Sequence, residues 1–140
     1  EKDFETLETR FTGVWAPYYT LHKILQGLLD AYVKTGNRKA YGMVEALAGY
    51  VEGRMSKLSP ERIERMMYTV EANPQNEAGA MNEVLYELYG ISGNPKHLAL
   101  AACFDPAWFL EPLVRNEDIL AGLHANTHIV LVNGFAAVTR

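Results

Sequence analysis

The sequence predicts an all-α fold in which helical hairpins repeat and wind into a toroid. Three observations carry this expectation. Apolar residues recur at three- and four-residue intervals along most of the chain, no segment alternates with period two for long enough to form a strand, and two hairpins are related by an internal repeat. After a polar lead-in, Tyr18 to Lys34 carries Leu21, Leu25, Leu28 and Tyr32 on one face, and Gly36 with Asn37 ends that helix. Arg38 to Lys57 repeats the pattern with Tyr41, Val44, Leu47, Val51 and Met55 until Ser59 and Pro60 break it. The second pair runs from Glu77 to Ile91, with Met81, Leu85 and Leu88, turns at Gly93 and Asn94, and returns from Lys96 to Phe104. Asp105 and Pro106 interrupt, a short segment covers Trp108 to Val114, and a last helix opens near His124 and reaches the end of the chain. Setting Gly36 on Gly93, an offset of 57, also superposes Leu28 on Leu85, Asp30 on Glu87, Tyr32 on Tyr89, Asn37 on Asn94 and Lys39 on Lys96. That period exceeds the ~33–34 residues of ankyrin and tetratricopeptide units, and long hairpins side by side suit a toroid better than a slender solenoid. A third repeat is expected to begin at His124, which would make residues 1–140 a fragment of a single domain.

Composition narrows the function classes. Of 140 residues, 49% are hydrophobic and 21% charged, the balance of a packed chain rather than a disordered one. Thirteen Lys and Arg stand against 17 Asp and Glu, a net charge of −4. A phosphate-tracking surface needs concentrated positive charge, so nucleic acid is not an expected partner. No apolar run approaches the ~20 residues of a membrane span, so a membrane is not expected either. One cysteine, Cys103, permits neither an intrachain disulfide nor a cysteine-rich zinc site within this segment.

The connections point to a functional end. Within each hairpin the turn is short, TGNRK or SGNPK, whereas about twenty residues separate the hairpins, from Leu58 to Glu77 and again from Asp105 to Leu123. If the first helices of successive hairpins run parallel, the long loops gather at one end with those helices' N-termini. Long loops on a rigid scaffold carry function, so that end is the expected site.

Three segments reach it. In VWAPYYTLHK, Tyr18, Tyr19 and His22, with Gln26 beyond, share one helical face, and rings beside hydrogen-bonding groups can stack on a sugar and hold its hydroxyls. An aromatic core with a satisfied histidine is the competing expectation. NEAGAMNE offers Glu77, Asn82 and Glu83 at a helix start, where the helix dipole favours carboxylates and capping alone accounts for them. GLHANTH brings His124, Asn126 and Thr127 together as a polar pocket. His124 and His128 stand four apart, as zinc-binding histidines do, but Ala125 occupies the place of the glutamate in HExxH and no third ligand is evident, so no metal is expected on the pair. His97, on the outer helix, is expected to face solvent. Cys103 lies within the apolar LALAACF, the setting of an inert buried thiol. No GxGxxG, GxxxxGK[ST] or GxSxG sequence occurs, so the usual phosphate cradles and nucleophile elbow are missing.

At the three segments the chain resembles a known family. VWAPYYTLHKILQGLLDAY, the run from EAGAMNEVLYELYGISGNPKHLALA into FDPAWFLEPL, and GLHANTHI are similar to the catalytic-domain signature of the β-L-arabinofuranosidase group, glycoside hydrolase family 127 and its relatives, over about Val14 to Asn133. The resemblance implies an (α/α)6 barrel, of which residues 1–140 would be a part, with accessory β-sandwich regions in the full protein. It also implies a retaining hydrolase releasing L-arabinofuranose from plant or glycoprotein arabinosides, with a cysteine thiolate at a zinc site beside a glutamate. In the family those nucleophile and zinc-ligand positions lie downstream of Arg140, so no catalytic residue and no zinc ligand is expected in this segment. By the same resemblance His22 and His124 line the sugar subsite, Asn82 and Glu83 occupy the matching helix start, and Tyr18 and Tyr19 wall the pocket. Ala80 stands where many relatives carry a second glycine. The partners implied are a carbohydrate substrate and the remainder of the same catalytic domain, in a secreted or extracellular setting. A non-catalytic helical-repeat module binding glycan or protein is the alternative the residues leave open.

Overall fold

The internal repeat is a repeat of turn chemistry. In a computed structural model that describes residues 1–68 and 77–138, helix α2 (Pro17–Thr35) ends on Gly36 at φ 71° and α5 (Met81–Ser92) on Gly93 at φ 64°, left-handed values that suit glycine. An asparagine follows each glycine and opens the returning helix. Asn37 Oδ1 accepts the amides of Lys39 and Ala40 at 3.1 Å to start α3 (Arg38–Met55), and Asn94 Oδ1 accepts the amide of Lys96 at 3.1 Å to start α6 (Pro95–Ala102). Four further helices complete the described residues: α1 (Lys2–Arg10), α4 (Pro60–Met67), α7 (Ala107–Val114) and α8 (Ala125–Val138). No strand occurs among them.

Contacts between elements give two layers. Helix α5 packs on α2 at one side and on α8 at the other, while α3 and α6 cover the hairpins from outside. Paired positions set the direction of the inner helices. Gly79 lies against Tyr19 and His22 near the start of α2, and Gln26, a turn further on, donates to Glu87 at 3.1 Å. Glu77 likewise meets His124, and Asn82 meets the carbonyl of Leu131 at 3.1 Å. Both registers advance together, so α2, α5 and α8 run parallel and their N-termini share one end. This all-α arrangement of hairpin repeats forms part of an (α/α)6 barrel.

Leu25, Leu29, Val44, Val51, Met81, Leu85, Leu88 and Phe104 are buried between the layers. Each such side chain stabilises the fold by roughly 1.5–3 kcal/mol relative to exposure. On α2 the stripe is turned by one residue from the expected face: Leu29 is buried, and Leu28 and Tyr32 are half-buried at the margin. The third helix starts at Met81 rather than Glu77. The long connection after α3 contains α4, which Ser59 caps and Pro60 opens, and its residues 69–76 lie outside the described residues.

Two corrections concern polar residues. The lead-in is helical, because Phe4, Leu7 and Phe11 form a narrow stripe and Glu8 is drawn inside by Arg54. Arg54 donates Nε to Glu8 Oε1 at 2.6 Å and Nη2 to Oε2 at 2.8 Å, and the Tyr18 hydroxyl donates to the same Oε1 at 2.6 Å. This buried fork ties α1 to α2 and α3. His97 is 6% exposed rather than solvent-facing: Ser92 Oγ is 2.8 Å from its Nδ1, and Glu45 of α3 lies 3.5 Å from Nε2. Cys103 is half-buried, with Sγ on the Ala99 carbonyl at 3.5 Å, and burial pushes its thiol pKa up with a further push from Asp105. No helix among the described residues is long and apolar enough to cross a membrane.

Because both caps accept the amide two residues on in the same kind of turn, Asn37→Ala and Asn94→Ala are each expected to lower the unfolding free energy by about 1 kcal/mol. Urea denaturation of the two variants checks this, and unequal losses would show that the turns are not equivalent.

Candidate functional site

The shared N-terminal end is organised by a short strap, Glu77 to Ala80, that leads into α5. Gly79 sits at φ 60°, and a Cβ there would lie 2.5 Å from His22 Nδ1 and 2.8 Å from Tyr19 Cδ2. The strap therefore rests directly on the first turns of α2. Ala80, at φ −88°, lies outside the left-handed region, so its side chain is accommodated without a second glycine. Two residues before Gly79, Glu77 turns the other way: its Oε1 lies 2.7 Å from His124 Nδ1, with the carboxylate side chain 3% exposed and the imidazole 40% exposed. One four-residue strap thus touches both His22 and His124.

His22 is 3% exposed and its Nδ1 has no hydrogen-bond partner among the described residues. Burial pushes its pKa down to about 4, with Lys23 adding to the effect against a small pull from the Tyr19 backbone. The ring is neutral at physiological pH and stands edge-on to Tyr19, centroids 5.7 Å apart. Tyr19 is half-buried, and Lys23 Nζ lies 5.1 Å from the centre of its ring. Tyr18, one residue earlier, is 1% exposed and its hydroxyl is engaged by Glu8, so its ring fills the core and presents no face to the surface.

Asn82 is fully buried and acts as a clamp. Its Nδ2 donates to Asp105 Oδ1 at 2.9 Å and to the Leu131 carbonyl at 3.1 Å, and its Oδ1 accepts the Glu83 amide at 2.9 Å. The Tyr86 hydroxyl bonds the other oxygen of Asp105, whose pKa burial raises against these hydrogen bonds. Gly134 of α8 passes so close that a Cβ there would lie 2.2 Å from the Asn82 side chain. Glu83 is half-buried and lines a groove of about 390 Å³ with Glu87, Gly90 and Asn133 between α5 and α8. Asn126 is exposed beside His124, and Thr127 is buried.

His128 lies on α8 and His124 immediately before it. His128 Nδ1 donates to the His124 carbonyl at 2.9 Å, and its Nε2 is enclosed near Trp108 and Phe109 without a partner among the described residues, where burial lowers its pKa. Among the described residues no three His, Cys, Asp or Glu side chains are placed to hold a metal ion. The groups at this end are neutral or hydrogen-bonding rather than nucleophilic. They can hold and orient hydroxyls.

Parallel inner helices, an outer layer and a polar end built on the inner N-termini define a domain of the α/α-barrel class. The chain belongs to the glycoside hydrolase family described as "Beta-L-arabinofuranosidase, GH127 catalytic domain", whose family model matches residues 2–140. The family is one of glycosidases acting on carbohydrate. A comparison with curated proteins gives no match.

The close approach at Gly79 makes a sharp prediction. Gly79→Ala adds both a left-handed alanine and a clash with the His22 ring, and is expected to lower stability by about 2 kcal/mol or more. Ala80→Gly should change stability by less than about 1 kcal/mol. Thermal melts of the two variants side by side check the contrast.

His22 also gives the molecule a pH dependence. Its folded pKa of about 4 lies below the ordinary 6.5, so between those values the unfolded chain binds a proton that the folded chain refuses. Stability is therefore expected to fall as pH falls from about 6.5 to about 4, by on the order of 3 kcal/mol from this group. His128 acts in the same direction and Asp105 in the opposite one. Denaturation midpoints across this range should show a shallower slope for His22→Gln than for the parent chain.

Proposed function

We propose that this chain supplies the sugar-holding part of a β-L-arabinofuranosidase barrel, with His22 and His124 as the groups that bind substrate hydroxyls. The observation that carries this reading is the Glu77–Ala80 strap, which brings the two imidazoles to one end of the parallel inner helices. Tyr19 provides a ring beside His22, Asn126 extends the polar surface at His124, and Glu83 lines the adjacent groove. Asn82 serves the same site from behind by locking α8 against α5.

Glycoside hydrolysis needs a protonated leaving oxygen and a stabilised oxocarbenium-like centre. The cysteine thiolate, the glutamate and the zinc that the family resemblance implies are assigned to residues outside this segment. Cys103 does not fit the nucleophile's role, because burial raises its thiol pKa. His124 and His128 have no third metal ligand placed beside them among the described residues. What these residues contribute is orientation: a furanose fixed through its hydroxyls presents its anomeric carbon in one geometry. The substrate class is an arabinoside of plant or glycoprotein origin, met in a secreted or extracellular setting, and residues 1–140 work with the remainder of the same catalytic domain.

In the full-length protein, His22→Ala and His124→Ala are each expected to reduce turnover of a chromogenic β-L-arabinofuranoside by about 100-fold, with the melting temperature little changed in His124→Ala and lowered in His22→Ala, whose ring is buried under the strap. Residues 1–140 alone should give no turnover. Parent-like rates in both variants, or hydrolysis by the segment alone, would overturn the assignment.

A further inference from the structure

Glu77 behaves unusually for a carboxylate near the start of a helix. A carboxylate just before α5 is expected to cap exposed amides, yet among the described residues no side chain caps the N-terminus of α5. The side chain is instead 3% exposed, and among the described residues its hydrogen-bond partner is His124, 47 positions away. A buried carboxylate is costly to desolvate and persists where a specific partner holds it. That expense is placed on one imidazole.

We infer that Glu77 is a positioning residue for His124, fixing the ring in the Nδ1–H tautomer so that Nε2 is offered as a hydrogen-bond acceptor to a sugar hydroxyl. A carboxylate oxygen accepts and does not donate, so the 2.7 Å contact places the proton on Nδ1. In the neutral ring Nε2 then carries the lone pair, on the far edge of an imidazole that is 40% exposed. The neighbouring negative charge strengthens Nε2 as an acceptor, as carboxylate partners of histidines do elsewhere. It also selects the ligand. A neutral sugar donating a hydroxyl is favoured, whereas a uronate or phosphorylated sugar would bring its own anion close to a buried carboxylate. Lys23 lies over the Tyr19 ring, on the neighbouring α2 side of the site.

The inference rests on the reading of His124 as a sugar-contacting group, and a double-mutant cycle in the full-length protein separates the two. Glu77→Gln, which keeps the shape and removes the charge, is expected to lower kcat/KM on a chromogenic β-L-arabinofuranoside about 10- to 100-fold, the size of one lost charge-assisted hydrogen bond. His124→Ala should lower it by at least as much. If Glu77 acts through His124, the double variant is no worse than His124→Ala, since removing the positioned ring makes its positioning irrelevant. A merely structural Glu77 would instead lower kcat/KM by the same factor in both backgrounds. Glu77→Asp keeps the charge on a shorter arm and is expected to recover part of the loss with the same non-additivity, so the outcome does not hang on one variant folding. Full additivity with His124→Ala impaired would overturn the inference and leave the sugar-holding reading standing. Parent-like kcat/KM in His124→Ala would overturn both.

Discussion

Two missing β-carbons set the geometry of this molecule. At Gly79 the strap into α5 lies against His22 and Tyr19 of α2, and at Gly134 helix α8 lies against Asn82 of α5. Helices normally stand ~8–10 Å apart because side chains separate them. Here the N-terminal end of α5 is pressed onto both neighbours at once, and any larger residue at either glycine meets a ring or an amide below ordinary contact distance. The polar residues of the site follow from that constraint. His22 is sealed in a neutral state because the strap covers it, Asn82 can reach both Asp105 and the Leu131 carbonyl because α8 comes close, and Glu77 can reach His124 because the strap runs between the helices that carry the two histidines.

The rest of the chain keeps that end in register. The turns at Gly36–Asn37 and Gly93–Asn94 fix each outer helix to its inner one by the same capping bonds. Arg54, Glu8 and Tyr18 fasten α1 across the first hairpin, and His97 links the second turn through Ser92 to Glu45 of the first hairpin. Buried ion pairs and hydrogen-bonded histidines of this kind add little net stability over apolar packing, but removing one partner leaves an uncompensated group inside.

The helices and their turns were legible because they depend on local chemistry. Periodicity in Leu21, Leu25 and the Met81 to Leu88 run, together with the Gly-Asn pairs, reports the hairpins directly, and the placement of long connections reports which end carries polar side chains. Where the account needed a partner distant in sequence, it was silent. The first residues looked polar because the pairing of Glu8 with Arg54 spans 46 positions. His97 looked exposed because Glu45 lies on another helix. Glu77 resembled a cap because its true partner is on α8, and Tyr18 and Tyr19 looked equivalent although a single residue of helical rotation sends one into the core and leaves the other beside His22. The stripe on α2 slipped to Leu29 for the same reason, since contact with α5 rather than periodicity alone decides which edge is covered. Gly79 carried a signal, a glycine just before a helix, but only the packed structure gives it a neighbour.

The central claim is that His22 and His124 face a common sugar through the strap between them. A crystal structure of the complete protein with L-arabinose bound tests it most directly. The account predicts sugar hydroxyls within hydrogen-bonding distance of both imidazoles, with Glu77 still on His124 Nδ1. A furanose held elsewhere in the barrel, out of reach of both imidazoles, would contradict it.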